Sequence, residues 1–133
     1  MKKAIASLVA VCAISSIALA AGKFKVNAPP VRAKKGQQAT ATLTFRGEGE
    51  FHFNTDYPFI VKLTAPTGVQ LAKGVMKKDD TKQWQKEGVI LPVVFTATEA
   101  GQKTITAEAK FAVCTDEECA PQEEKISIVV NVQ

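Results

Sequence analysis

Three cysteines and a single histidine are the side chains in this 133-residue chain best suited to redox, metal or nucleophilic chemistry. Cys114 and Cys119 enclose Thr115-Asp116-Glu117-Glu118, so they are close enough in sequence to pair with each other. Nearby negative charge disfavours a thiolate, which makes these two sulfurs ordinary nucleophiles. Such a pair suits attack by a partner's activated cysteine better than it suits a self-activated catalyst. His52, between Phe51 and Phe53, would need Cys114, Cys119 and an acidic side chain to complete a copper or zinc site. Two cysteines in an oxidising compartment pair with each other instead, so no metal and no cofactor is expected. There is no second histidine, no serine in a nucleophile elbow and no glycine-rich phosphate loop to support a hydrolase or nucleotide-binding reading.

The compartment follows from the N-terminus. Lys2 and Lys3 precede an uncharged apolar run from Ala4 to Leu19, closed by the small-x-small sequence Ala18-Leu19-Ala20. This is the layout of a cleavable signal peptide over residues 1–20, and the run is shorter than the roughly 20 residues of a spanning helix. Cys12 follows the bulky Val11, unlike a lipoprotein cysteine, and would leave with the signal. The expected destination is the periplasm or the exterior, where disulfides persist, with no stable membrane anchor after cleavage. Without Lys2 and Lys3 the net charge drops from +4 to about +2. No basic stripe with stacking aromatics marks a nucleic-acid partner. The Lys77, Lys78, Lys82 and Lys86 cluster is broken by Asp79, Asp80 and Glu87 and reads as a solvated loop or edge. Asp79-Asp80 and Asp116-Glu117-Glu118 lack the alternating ligands and turn glycine of an EF-hand.

The elements that must hold the cysteines read as strands. Apolar residues occupy every second position in Ala39 to Phe45, in Val89, Leu91, Val93 and Phe95, in Ile105 to Val113, and in Ile126 to Val132. That is the period of a half-buried strand. Shorter candidates are Phe24 to Val26, Phe51 to Phe53 and Phe59 to Leu63. Turn residues separate them, as in Arg46-Gly47-Glu48-Gly49 and Thr55-Asp56-Tyr57-Pro58. The expectation is an all-β fold over residues 21–133, an immunoglobulin-like antiparallel β-sandwich of about seven to nine strands. Pro92 marks its strand as an edge or as bulged. Tyr57, Phe59 and Trp84 could form an exposed aromatic patch, although core packing is the default for phenylalanine.

Cys114 and Cys119 then fall at the tip of the last hairpin. A register that opposes them also pairs Ile105 with Ile128 and Ala107 with Ile126, on one apolar face. Directly opposed residues have Cα atoms about 4.5–5.5 Å apart, within reach of a disulfide. Alternation sets both sulfurs on the face opposite Phe111 and Val113, at a tip that projects beyond the sandwich. Closing so short a loop contributes about 2 kcal/mol in the chain-entropy model, so the bond is a weak stabiliser. Accessibility is what exchange requires.

The strand ending at Cys114, the closely spaced Cys119, the following Pro121 and the final strand from Ile126 to Val132 resemble the end of the N-terminal periplasmic, immunoglobulin-like domain of the thiol:disulfide interchange protein DsbD. The resemblance covers the last third of the chain, with a looser echo at Phe51-His52-Phe53-Asn54 and Tyr57-Pro58. It implies that Cys114 and Cys119 are an exchanging pair that accepts electrons and passes them to periplasmic partners. The sequence contains no Cys-x-x-Cys, so a thioredoxin-like protein or a membrane electron donor would have to be a separate chain. The alternative is a binding or structural sandwich in which the same bond only staples a hairpin.

Overall fold

The computed structural model describes residues 22–133. The expected signal segment 1–20, with Cys12, lies outside the described residues. Eleven strands follow in order: β1 (Phe24–Asn27), β2 (Val31–Ala33), β3 (Gln38–Gly47), β4 (His52–Phe53), β5 (Ile60–Thr64) and β6 (Val69–Leu71). β7 (Val75–Lys77), β8 (Gln83–Gln85), β9 (Gly88–Ala97), β10 (Gly101–Cys114) and β11 (Cys119–Val132) complete the set. One sheet has the order β1-β3-β9-β6, with β8 also on β9; the other has the order β2-β11-β10-β5-β7, with β4 also on β10. The two sheets form an immunoglobulin-like β-sandwich.

The four segments with long alternation, from Ala39, Val89, Ile105 and Ile126, are strands, and the three shorter candidates hold β1, β4 and β5, with Phe51 and Phe59 just outside them. The four additional ones, β2, β6, β7 and β8, have three residues each, too few to show a period. One pairing departs from the antiparallel expectation, since β2 runs parallel to the end of β11.

Alternation builds the core directly. Leu43, Phe45, Leu91, Val93 and Phe95 from one sheet meet Val61, Ile105, Ala107, Phe111, Val113, Ile128 and Val130 from the other, all essentially without solvent contact. Each large apolar side chain buried this way contributes about 1.5–3 kcal/mol before the cost of ordering is counted. Their even-spaced partners point outwards.

Pro92 shows how the sheet accommodates a residue without an amide proton. β9 is an inner strand, paired with β3 from Gly88 to Thr96 and flanked by two short strands opposite. On its other side, β8 covers Gly88 to Ile90 and β6 covers Phe95 to Ala97. The Ile90 carbonyl accepts from Lys82 and the Val94 carbonyl from Ala72, so the polar groups of this set of residues point towards β8 and β6. Pro92 lies between those two, opposite the gap left by the short strands. There the strand is locally an edge and loses no ladder bond.

Candidate functional site

The β10–β11 hairpin has the register that alternation requires, with Ile105 opposite Ile128, Ala107 opposite Ile126 and Cys114 opposite Cys119. The two cysteines form a disulfide with a Cα–Cα distance of 4.0 Å. A close approach is expected on the β11 side of Cys114. On the far side of β10 the Ala112 carbonyl accepts the Asn54 amide at 3.0 Å, and Cys114, two residues on, directs its own amide and carbonyl the same way. Cys114 and Cys119 are therefore a non-hydrogen-bonded pair, the type in which facing side chains lie closest.

Thr115 builds the tip. Its amide donates to the Glu118 carbonyl at 2.7 Å, and its hydroxyl accepts the Glu118 amide at 3.1 Å and the Glu117 amide at 3.3 Å. This leaves Asp116, Glu117 and Glu118 exposed beside the bond.

The prediction of a projecting tip with two accessible sulfurs needs correction. Both cysteines do sit on the outer face, but Cys114 is only 4% exposed, whereas Cys119 is exposed. The cause is that the two edges of the hairpin are covered differently. β4 adds to β10 at the tip, pairing Phe53 with Val113 and His52 with Cys114. Among the described residues β11 has no neighbour at that end, because β2 reaches only Val130 to Val132.

β4 and β5 are two pieces of one neighbour of β10, since Ile60 pairs with Lys110 further along. Between them residues 54–59 loop out. Asn54 starts the loop: its Oδ1 accepts the Asp56 amide at 3.0 Å and its carbonyl accepts the Tyr57 amide at 3.3 Å. The Asn54 Nδ2 reaches back across the hairpin to within 3.9 Å of the Cys119 sulfur. Ala112 lies on the outer face between them, and its small side chain, itself buried, leaves the path open.

A group of aromatic rings anchors β4 from beneath. Phe53 stacks on Phe111 at 5.0 Å between centroids, and Phe45 meets Phe53, Phe59 and Phe111 edge-on at 5.5–6.1 Å. Phe24 packs edge-on against Phe111 from the opposite sheet at 4.9 Å. These rings also decide the aromatic-patch question. Phe59 is core, Trp84 is half-buried against it at 5.3 Å, and Tyr57 alone of the three is exposed.

Other sequence candidates fall away from this site. Asp80 accepts Lys73 Nζ at 2.7 Å and the Lys77 amide at 2.8 Å, which makes it the organiser of a short 3-10 turn over Lys78–Asp80. The Lys73 ammonium and the Lys77 amide hold its carboxyl below the usual value of 3.8. Among the described residues, no group of three histidine, cysteine or acidic side chains is arranged to hold a metal ion.

The site is thus Cys114 and Cys119, flanked by His52 and Asn54, with three carboxylates at the tip. The cysteine pair is visible in the sequence, which sets His52 beside it only as a partner in a metal site that is not expected to form. The sequence assigns Asn54 no role, although both His52 and Asn54 lie in the second, looser stretch of the resemblance.

No protein-family model and no curated protein matches the chain. Among solved structures, the chain is similar to one in the complex of zinc 2-glycoprotein and prolactin inducible protein from human seminal plasma. The TM-score is 0.52 at 15% identity, covering 83% of this chain and 93% of that one. Escherichia coli alpha-2-macroglobulin matches with a TM-score of 0.49 at 16% identity, over 84% of this chain and 7% of that chain. Domains 4 and 5 of the S-layer protein SbsC match with a TM-score of 0.43 at 19% identity over 84% of this chain, which spans 51% of that fragment. The first of these likenesses identifies the fold alone, an immunoglobulin-like sandwich.

Proposed function

We propose that the chain is an exported thiol–disulfide exchange domain in which Cys114 and Cys119 cycle between disulfide and dithiol with a thioredoxin-like or membrane electron-donor protein. The observation that carries this reading is the unequal cover of the two sulfurs. Exchange needs one sulfur that a partner thiolate can reach in line and another that departs. Cys119, exposed on the open edge of β11, is the reachable one; Cys114, beneath β4, is the leaving sulfur. A partner thiolate bonds to Cys119 and releases Cys114. The partner's second thiol then displaces Cys119, so that two electrons and two protons pass to this domain. The juxtaposition of β4 with the cysteine hairpin adds support, because the two stretches that resemble the DsbD-type domain are far apart in sequence and adjacent in space. The signal layout of residues 1–20 supports a periplasmic or extracellular location.

The burial of Cys114 also favours a second reading, a non-enzymatic sandwich whose disulfide staples the tip beneath β4. The two readings separate on redox potential: a structural bond lies below about −300 mV, and an exchanging one is more oxidising. Equilibration of the purified domain in graded dithiothreitol buffers measures it. A Cys114→Ser variant, with Cys119 free, should trap a mixed disulfide with a thioredoxin-type protein. A very low potential together with no trapped species would remove the exchange reading.

A further inference from the structure

We infer that His52 is the proton donor to the Cys114 sulfur when the bond opens, and its acceptor when the bond re-forms; this rests on the exchange reading above. The register opposes Cys114 to Cys119 on one side and to His52 on the other. Phe53 and Val113 face the core, so His52 and Cys114 both face outwards, and the three residues form one row across the outer face in the order Cys119, Cys114, His52. Directly opposed side chains of antiparallel strands have Cβ atoms about 4.5–5.5 Å apart.

Attack on Cys119 sends the electron pair to Cys114, the sulfur with little access to water. An anion developing there is disfavoured by desolvation. The exposed Asp116, Glu117 and Glu118 at the tip, Glu48 and Glu50 in the turn before β4, and Asp56 in the loop after it add negative charge. Beside β4 on the β8–β9 turn stand Lys86, whose carbonyl accepts the Phe53 amide at 2.8 Å, and Glu87; both side chains are exposed to solvent. Within the row itself, the half-buried imidazole of His52 is the one side chain besides the sulfurs that can carry and release a proton.

The position of His52 is enforced by the backbone. A Cβ on Gly47 would run into the Phe51 carbonyl, so β3 and the start of β4 meet without a side chain between them. The step balances: the attacking sulfur bonds to Cys119, the Cys119–Cys114 bond breaks, the electron pair goes to Cys114, and the imidazolium proton follows it. Solvent then reprotonates the imidazole.

The test uses dithiothreitol as the nucleophile, so it is independent of any protein partner. Opening rates of the wild type and His52→Gln, each divided by the dithiothreitol thiolate concentration, are followed from about pH 5 to about pH 9. The variant is expected to be slower by about tenfold or more at about pH 6 and to converge with the wild type at about pH 9. In a Cys119→Ser background, thiolate absorbance of Cys114 should appear at lower pH with His52 present than with His52→Gln. Matching far-UV circular dichroism of the variants controls for loss of β4. Parallel pH profiles together with unchanged thiolate titration overturn the role of His52. Failure of a thioredoxin-type protein to reduce the wild-type bond, with the pH profiles still divergent, overturns the exchange reading instead.

Discussion

Phe53 of β4 stacks on Phe111 of β10 with ring centroids 5.0 Å apart, two residues short of the point where Val113 gives way to Cys114 on the outer face. This contact converts a two-residue strand into cover for a sulfur. Phe53→Ala should therefore destabilise the domain by about 3–5 kcal/mol, as for other phenylalanine-to-alanine cavities, and uncover Cys114. Urea unfolding measures the first effect. Alkylation of Cys114 in the reduced variant measures the second, and Phe53→Leu should show much less of both.

The difference in cover predicts a difference in reactivity. In the fully reduced wild-type domain, iodoacetamide should modify Cys119 at least about tenfold faster than Cys114, because alkylation follows thiolate access. Mass spectrometry of peptides quenched at short times distinguishes the two sites. Equal rates would mean that β4 does not stay on β10 once the bond is open.

Gly47 sits where β3 hands the chain to β4. Its Cα faces the Phe51 carbonyl and the His52 backbone, which cannot move aside as a flexible side chain would. Gly47→Ala is expected to cost about 1–3 kcal/mol as an overpacking change and to speed dithiothreitol reduction by loosening β4. Thermal unfolding and reduction kinetics on the same sample check both.

Asp80 supplies a pH dependence with a definite sign. Lys73 and the Lys77 amide lower its carboxyl below 3.8 in the folded state. The group therefore contributes stability that is fully present above the unfolded value and lost as pH falls through the lower folded value. The side chains are partly solvated, so the contribution is below about 1 kcal/mol. Stability of Asp80→Asn relative to wild type, compared at about pH 7 and at about pH 2, should show a deficit only at the higher pH.

Much of this architecture could be read from residue order. The strands from Gln38, Gly88, Gly101 and Cys119 each carry enough alternating positions to declare a period, and the register that opposes Cys114 to Cys119 also keeps Ile105, Ala107, Ile126 and Ile128 on a common face, which any one-residue slip would break. The same parity sets both sulfurs on the outer face. The pairing of Cys114 with Cys119 follows from local spacing, because four residues separate them and a hairpin brings opposed residues within bonding reach.

The inequality between the two sulfurs was decided elsewhere. β4 has two residues and no period of its own, and its place beside Cys114 depends on Phe53 entering the cluster formed by Phe45, Phe59 and Phe111, drawn from strands and a loop far apart in sequence. Alternation describes which face a side chain takes; it carries no information about what later covers that face. The sequence alone therefore determined a β-sandwich with a cystine on the outside of its last hairpin. Only the tertiary structure set His52 and Asn54 around it and left Cys119 exposed while burying Cys114, because those relations come from packing between segments more than 60 residues apart.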